Sequence, residues 1–332
     1  MKTTGIRILT RADLERLLSL EDCIAAVEKA FALHAHKKSL APGLLHIDVP
    51  QADGEFHIKC GGLELEEIYA CLKMSGGYFA NPARFGLPSI QSTILLWSGK
   101  TGSPLACMDG IHITIYRTGA ATAVAAKYLA RRDSATVGIF GCGNQGRIQL
   151  RALNLCFSLK KVYVYDVDAQ AKEKYAREMS ELLQLEVLPA SNVEQAARAR
   201  DIIVACTPAR KFYLEDRFIA PGTFIAAVGA DSPGKQELEP TLFRRAKIVV
   251  DILEQCVQVG ELQHPMRAGL TTMQDVHGEL GQVIIGDIPG RTSDDEIIVF
   301  DTTGTAIQDC ATAALAYRRA VAQGVGQVIQ LF

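Results

Sequence analysis

The chain has 332 residues, of which 48% are hydrophobic and 22% are charged, as in globular proteins large enough for two cores. Its 35 basic and 37 acidic residues leave a net charge of −2, and no run of lysine or arginine is long enough to follow a phosphate backbone, so we expect no nucleic-acid partner. Nine scattered cysteines without CxxC or metal-type spacing, no signal-like N-terminus and no apolar run of ~18 residues predict a cytoplasmic protein with no membrane contact.

The first hundred residues change from a helical to a strand-like pattern. Two pairs with the spacing of helix N-caps open the chain, and apolar residues at helical intervals follow the second pair. The pairs are Thr10 with Asp13 and Ser19 with Asp22. From Leu44 to about Met108, short apolar runs are broken by glycine, proline and asparagine, which predicts a sheet. The alanine-rich stretch Thr114–Arg131 then predicts a long helix.

The stretch from Thr136 to Asp166 has the pattern of a dinucleotide-binding unit. The apolar run Val137–Phe140 predicts a buried strand, and the glycine-rich turn GCGNQG (141–146) and a helix follow it. The glycines allow a tight turn close to a pyrophosphate, and the N-terminus of the helix offers unpaired N–H groups and the positive end of its dipole. Because the motif lies between a predicted strand and a predicted helix, it predicts a dinucleotide site.

Asp166 ends the next apolar run, twenty residues after the last glycine of that turn. A carboxylate at this distance is placed to bind the 2′-hydroxyl of a ribose. Its charge would repel a 2′-phosphate, and the neighbouring Asp168 adds to that repulsion. The sequence therefore predicts NAD(H) as the cofactor in preference to NADP(H).

Beyond this motif, β-branched runs alternate with helical stretches up to the last part of the chain. This alternation is typical of a doubly wound parallel sheet in an α/β protein. The predicted strands are Lys161–Asp166, Asp201–Ala205, Thr223–Val228 and Ile248–Asp251. The final stretch, Gly304–Gln323, is rich in alanine and predicts a helix that packs closely against another element.

Several segments together resemble the ornithine cyclodeaminase/mu-crystallin family, which includes alanine dehydrogenases and Δ1-pyrroline-2-carboxylate (ketimine) reductases. The resemblance extends over nearly the whole chain. The segments that carry it are Arg117–Ala121, Gly141–Gly146, Val228–Glu237, Glu279–Gly281 with Gly290-Arg291, and Asp294–Ile297 leading to Phe300–Gly304.

The resemblance implies an α/β fold in which a Rossmann doubly wound parallel sheet is inserted into an α+β domain for substrate binding and dimerisation. With the boundaries taken from the sequence pattern, the outer domain comprises residues 1–113 plus 305–332 and the NAD-binding Rossmann domain comprises residues 114–304. The resemblance also implies a homodimer. The boundary near Thr114 agrees with the predicted helix that leads into the nucleotide-binding strand.

Three residues are candidates for the reaction itself. Hydride transfer at the α-carbon of an amino or imino acid requires a carboxylate clamp and a group that manages one proton on nitrogen. Arg117 offers a planar fork and Lys73 a compact charge, and the resemblance implies that both contact substrate. Asp231 follows a predicted parallel strand, and the resemblance gives it the acid/base role; we expect it to be buried beside apolar neighbours.

The resemblance also implies which residues contact the cofactor. Most of them are small or hydroxylated. They are Ser89, Thr118, Gly141, Gly143, Asn144, Gln145, Gly146, Asp166, Thr207, Val228, Lys235 and Thr302. The neighbouring Thr303 is implied to lie near the substrate.

The stretch from His46 to Gly62 departs from the family pattern. Ornithine-specific members have an acidic residue there, whereas this chain has His57, and without a carboxylate at that position the distal ammonium of ornithine would lack a partner. His46, His57 and Lys59 instead predict a compact or anionic substrate, such as a cyclic imino acid, alanine or an acid with a second carboxylate. The other histidines that we considered have no metal-ligand spacing, so we expect no metal; they are His34, His36, His264 and His277.

Three functions remain open from the sequence. The first is an NAD(H)-dependent imine reductase or amino-acid dehydrogenase that acts on a small amino or imino acid. The second is an ornithine or lysine cyclodeaminase, which forms L-proline and ammonia from ornithine without net redox change. The third is a non-catalytic binding protein like mu-crystallin, but those relatives lack the acid and lysine that stand here as Asp231 and Lys235. The sequence thus favours an enzyme and leaves its substrate open.

Overall fold

The computed structural model describes residues 5–330, which form two compact units. The first unit contains the described residues up to Arg117 together with those from Thr305 onwards, and the second contains Thr118–Gly304. Residues 1–4 and 331–332 of the predicted outer domain lie outside the described residues.

The two units differ in secondary structure. The first contains mainly long strands, and in the second strands and helices alternate along the chain. The helices are α1 Arg11–Leu17, α2 Leu20–Ala35, α3 Asn81–Phe85, α4 Gly110–Leu129, α5 Asn144–Cys156, α6 Ala169–Leu183, α7 Val193–Ala197, α8 Leu253–Val259, α9 Gln263–Arg267, α10 Leu280–Ile285 and α11 Ala306–Gln323. The strands are β1 Gly5–Leu9, β2 Ser39–Val49, β3 Gly54–Glu64, β4 Ile68–Gly77, β5 Ile90–Ser98, β6 Pro104–Asp109, β7 Thr136–Phe140, β8 Lys161–Tyr165, β9 Glu186–Pro189, β10 Ile202–Ala205, β11 Arg210–Leu214, β12 Phe224–Ala227, β13 Gln236–Leu238, β14 Ala246–Val250, β15 Val276–Glu279, β16 Ile297–Asp301 and β17 Gln327–Gln330.

The first unit is built on a seven-stranded sheet in the order β17-β1-β6-β5-β4-β3-β2. All neighbouring strands are antiparallel except β1 and β6. Helix α11 packs on strands β3, β4 and β5 and on helix α2. Because side chains alternate along a strand, one face of the sheet contributes buried residues such as Ile94 and Leu96, while the other leaves Leu72, Met74 and Trp97 partly exposed.

The N-terminal helix predictions are confirmed by their caps. The Thr10 and Ser19 side chains accept the N–H groups of Asp13 and Asp22, and each aspartate side chain accepts the N–H of its cap residue in return. The sheet predicted from Leu44 to about Met108 is also confirmed, although β2 begins earlier, at Ser39. Strands β1 and β17 join the same sheet and were not predicted. The α4 helix begins four residues before the predicted Thr114, because the Asp109 carboxylate accepts the His112 N–H at 2.7 Å and caps it there.

The second unit contains an eight-stranded sheet in the order β15-β14-β16-β12-β10-β7-β8-β9, in which every pair is parallel. Strands β10 and β12 are buried at every residue, as expected for strands covered on both faces. The predicted doubly wound α/β fold is confirmed. Strands β9, β15 and β16 were not predicted, and the order reverses between β7 and β10, where such sheets bind ligands.

All nine cysteines are free thiols. Among residues 5–330, no helix combines the length and the apolar character that crossing a lipid bilayer requires.

Candidate functional site

In the second unit, the carboxyl ends of five adjacent strands carry most of the residues predicted to contact a cofactor. All five strands are parallel, so their carboxyl ends lie at one edge of the sheet. The residues that follow β7, β8, β10, β12 and β16 are, respectively, the turn 141–146, Asp166, Thr207, Val228 and Thr302. The structure therefore brings these predicted residues to the edge where open α/β sheets bind ligands.

The turn between β7 and α5 has the geometry that its glycines predict. Gly141 has a φ of +103°, and a Cβ on Gly146 would lie 2.1 Å from the Gly141 carbonyl oxygen, so a side chain at either position would strain the turn. Gly143 is the N-cap of α5, and because it has no side chain, no side-chain oxygen caps the first N–H groups of the helix. Apart from Gly143 and its two chain neighbours, no heavy atom of the described residues lies within 4 Å of where a Gly143 Cβ would stand. The first N–H groups of α5 thus fit an anion such as a pyrophosphate.

Asp166 is bonded to the turn that precedes α5. One of its carboxylate oxygens accepts the Cys142 N–H at 2.8 Å, and the other accepts the Asp168 N–H at 3.0 Å. Asp168 in turn caps α6 by accepting the N–H of Gln170 at 2.8 Å. A carboxylate has about four acceptor sites, so Asp166 retains the capacity to bind a ribose hydroxyl.

The buried carboxylate of Glu237 joins the segments that follow β10 and β12. It accepts the Thr207 N–H at 2.7 Å, the Thr207 hydroxyl at 2.6 Å and the Tyr213 hydroxyl at 2.6 Å. Its other oxygen accepts the Gly229 N–H at 2.9 Å. Burial raises the pKa of Glu237 above its ordinary value. Sequence reasoning did not assign Glu237, although it stands at the end of the family-like segment 228–237.

A second buried carboxylate, Asp251 at the end of β14, positions Thr302 and Thr303. Its Oδ2 accepts the Thr302 hydroxyl, the Thr303 N–H and the Gly304 N–H, each at 2.9 Å. The Thr303 hydroxyl also accepts a hydrogen bond from Gln255 at 2.8 Å. Both threonines are buried. Asp251 is a further residue that sequence reasoning treated only as the end of a strand.

Asp231 and Lys235 form an ion pair in the turn after β12. The Lys235 ammonium donates to the Asp231 carboxylate at 2.6 Å. The prediction that Asp231 is buried is wrong, because its side chain is 40% exposed. Ala230 and Ser232 on either side are buried, so the turn directs the intervening aspartate outwards. A partly exposed carboxylate beside an ammonium can exchange a proton with a bound ligand.

In the first unit, three cationic side chains are buried close to Asp309. Lys59 and Lys73 are cross-strand partners on β3 and β4, and Arg117 lies on α4. Lys73 lies 2.7 Å from Asp309 Oδ2, and Arg117 Nε donates to Asp309 Oδ1 at 3.0 Å. Arg117 Nη1 also donates to Gln308 Oε1 at 3.0 Å. We call Lys59, Lys73, Arg117 and Asp309 the cation cluster, in which positive groups outnumber negative ones.

The charges of the cation cluster are strongly coupled. Burial first, and then the nearby charge of Arg117, lower the pKa of Lys73 to about 7. Burial alone would raise the pKa of Asp309, but the adjacent Lys73 and Arg117 hold it below its ordinary value. Asp309 therefore stays ionised, and the excess positive charge favours an incoming carboxylate.

Asp309 and Gln308 were not predicted as site residues. They lie in the first turn of α11, in a stretch otherwise made mainly of small or apolar residues. A single acidic residue in such a helix is the signal that could have found Asp309, since a buried charge requires a partner.

His46 and His57 face each other across β2 and β3, with ring centroids 4.6 Å apart. Glu55 Oε1 lies 3.1 Å from His57 Nε2, and Glu55 Oε2 lies 3.8 Å from His46 Nε2. The lack of a carboxylate at position 57 therefore does not leave this face of the strand without one. Position 57 is a histidine, but Glu55 occupies the same face of the strand.

The remaining predicted cofactor residues are divided between the units. Ser89 lies in the first unit, in the bend before β5, where its carbonyl accepts the Tyr78 N–H at 2.7 Å. Thr118 lies on α4 in the second unit and is buried.

Comparison with known proteins gives one consistent result. Residues 6–324 match the model of the ornithine cyclodeaminase/mu-crystallin family. The chain is 40% identical to the alanine dehydrogenase of Archaeoglobus fulgidus over 326 residues, which is 98% of both chains. It is similar to the structure of an archaeal alanine dehydrogenase dimer with bound NAD, with a TM-score of 0.93, 39% identity and coverage of 99% of this chain and 100% of the other. A Δ1-pyrroline-2-carboxylate reductase from Thermococcus litoralis in complex with NADH and L-proline also has a TM-score of 0.93, with 36% identity and coverage of 98% and 100%.

Proposed function

The chain belongs to the ornithine cyclodeaminase/mu-crystallin family, and from this premise we propose that it is an NAD(H)-dependent oxidoreductase that transfers hydride at the α-carbon of a small amino or imino acid. The cation cluster is the observation that carries the proposal, because buried lysine and arginine side chains in excess over carboxylate suit the carboxylate of such a substrate. Relatives named alanine dehydrogenase and Δ1-pyrroline-2-carboxylate reductase act in this substrate class.

The residues at the strand ends fit NAD(H). We assign the pyrophosphate to the turn 141–146 with the N–H groups of Asn144, Gln145 and Gly146, and the adenosine ribose to Asp166. Further contacts are assigned to Ser89, Thr118, Thr207, Val228, Lys235 and Thr302. Glu237 and Asp251 keep Thr207 and Thr302 in place. When bound, the nicotinamide supplies or accepts the hydride.

We assign the substrate carboxylate to Arg117 and Lys73, with Lys59, His46, His57 and Thr303 as further substrate contacts. Because the lysine and arginine are buried, they hold the carboxylate in one orientation, so that its α-carbon is presented in a fixed position. Asp231 gives or takes the proton on the substrate nitrogen, and Lys235 forms an ion pair with it.

A second candidate is a cyclodeaminase that acts on ornithine or lysine. Glu55 supports it, because this carboxylate lies on the face of β3 that also carries Lys59 and could bind a distal ammonium. The same hydride step would then be followed by its return, without net redox change.

We further propose a cytoplasmic homodimer. The nine free thiols are those of a protein in a reducing compartment. The sheet face of the first unit opposite α11 exposes apolar side chains, and we assign the contact between protomers to it. These residues are Leu45, Ile47, Leu72, Met74 and Trp97.

A substrate screen tests the proposed function. The full chain is incubated with NADH or NADPH and either pyruvate plus ammonia, Δ1-pyrroline-2-carboxylate or Δ1-piperideine-2-carboxylate, and NADH absorbance is followed. We expect net oxidation of NADH with at least one of these acceptors and slower oxidation of NADPH, because Asp166 repels the 2′-phosphate.

Parallel reactions with ornithine and lysine separate the alternatives. Proline formed from ornithine without a change in NADH absorbance supports the cyclodeaminase. Tight binding of NADH with no conversion of any compound contradicts both enzymatic proposals and supports a binding protein.

The lowered pKa of Lys73 predicts a pH dependence. Below about pH 7 Lys73 is protonated and attracts the substrate carboxylate, whereas above it the ammonium loses its proton. We therefore expect kcat/KM for an anionic substrate to fall about tenfold per pH unit above this value. The measurement is the pH profile of kcat/KM for the wild type and for Lys73→Arg.

The arginine variant is the control, because its guanidinium stays protonated throughout this range. Its kcat/KM should be lower overall, but its alkaline decline should shift to higher pH. An unchanged alkaline decline in Lys73→Arg would assign the titration to another group.

A further inference from the structure

The hairpin of β2 and β3 brings together three side chains with the chemistry of metal ligands. One ligand atom from each of His46, Glu55 and His57 lies within 4.8 Å of the others. Glu55 approaches the Nε2 atoms of His57 and His46 at 3.1 and 3.8 Å. Within residues 5–330 this is the one group of three or more histidine, cysteine, aspartate or glutamate side chains so arranged.

These separations are compatible with the ligation of one metal ion. Bonds of 2.0–2.2 Å in a tetrahedral site place ligand atoms roughly 3.3–3.6 Å apart, so only small side-chain movements are needed here. Imidazole and carboxylate ligands together suit Zn²⁺ and other divalent first-row metals. A fourth ligand is near, because Asp48 Oδ1 lies 2.9 Å from His46 Nε2.

The backbone preorganises the group. His46 and His57 are direct cross-strand partners, and so are Asp48 and Glu55 in the next pair on the same face. Since both strands belong to a sheet, the spacing of these four positions is set by backbone hydrogen bonds and not by flexible loops.

One atom of the group lacks the partner that its burial requires. His46 Nδ1 is buried and has no hydrogen-bond partner among the described residues. A buried polar nitrogen left in this way is costly, and a flip of the ring would let a metal bind Nδ1 in place of Nε2.

We propose that His46, Glu55 and His57 form a binding site for a divalent first-row transition-metal ion of the Zn²⁺ class, with Asp48 as an additional carboxylate ligand. The site joins the two strands of the hairpin. His57 and Lys59 share a face of β3, so the ion would add positive charge beside the cation cluster and occupy Glu55. An anionic substrate would then be favoured over one with a distal ammonium, and His46 and His57 would act on substrate through the ion.

The test is direct metal binding by the full chain, without cofactor or substrate, so that it is independent of the proposed function. Protein treated with a chelator and then dialysed is titrated with ZnCl₂ in a calorimeter. We expect one Zn²⁺ per chain for the wild type, and at least tenfold weaker binding for His46→Ala, His57→Ala and Glu55→Gln. His36→Ala, which removes an exposed histidine at the end of α2, is the matched control and should bind like the wild type.

A Co²⁺ spectrum distinguishes this site from the free cysteines. Ligation by imidazole and carboxylate gives d–d bands without the thiolate-to-cobalt charge-transfer band that a cysteine ligand would add. If an alanine variant does not fold, Zn²⁺ binding by the nearly isosteric Glu55→Gln variant still tests the proposal. Absence of stoichiometric Zn²⁺ binding, wild-type affinity in Glu55→Gln, or a thiolate band would each overturn the proposal.

Discussion

Asp231→Asn is expected to lower kcat by about 10²–10⁴-fold, because the amide cannot give or take the proton on the substrate nitrogen. The side chain keeps its size, so the turn that Ala230 and Ser232 anchor should persist. Steady-state rates with the acceptor identified by the screen measure the effect. The loss should appear in kcat and kcat/KM alike, as for an interaction made in the transition state.

Two controls separate chemistry from cofactor binding in this variant. Its affinity for NADH, measured by fluorescence titration, should stay within a few-fold of the wild type. Asp231→Glu should regain part of the activity, because it restores a carboxylate at a shifted position. If Asp231→Asn has the kcat of the wild type, Asp231 has no part in the proposed mechanism.

Arg117→Lys is expected to lower kcat/KM by about 10²–10³-fold, the equivalent of roughly 3–4 kcal/mol for a buried, forked contact with a carboxylate. Lysine keeps the charge but cannot bond both Asp309 and Gln308 as the guanidinium does. The loss should be mainly in KM, since Arg117 is assigned to binding the substrate carboxylate. The affinity for NADH should change little.

Stability must be measured with the same variant, since breaking a buried ion pair costs about 3–5 kcal/mol. We expect a lower Tm for Arg117→Lys, whereas Arg16→Lys, on the exposed side of α1, should match the wild type in both Tm and kcat/KM. A folded Arg117→Lys with unchanged KM would contradict the proposed clamp.

Some features of the structure could be predicted from short stretches of the sequence, and others could not. The turn 141–146 and Asp166 were predictable because strand, turn and helix follow one another directly and the glycines serve a local conformational need. The caps at Thr10 and Ser19 were predictable for the same reason, since cap and capped residue are three positions apart. The start of α4 was missed because its cap, Asp109, lies at the end of a strand.

The roles of the predicted residues remain proposals, but their placement differs in how far sequence could anticipate it. Thr207 and Thr302 follow buried parallel strands, which the apolar pattern largely predicts. The carboxylates that hold them, Glu237 and Asp251, come from other strands and have no local signature. The exposure of Asp231 likewise depends on which way its turn faces, and this the apolar pattern did not predict.

The sequence by itself determined the α/β class, the parallel sheet and the nucleotide-type turn, because apolar periodicity and glycine conformation act over a few neighbouring residues. The tertiary structure alone decided which charges are buried together. Arg117 meets Asp309 across 192 positions of the chain, and His46 meets His57 and Glu55 only when β2 and β3 pair. Such contacts arise from strand register and helix packing, which depend on the free energy of the whole fold and which no short stretch of sequence encodes.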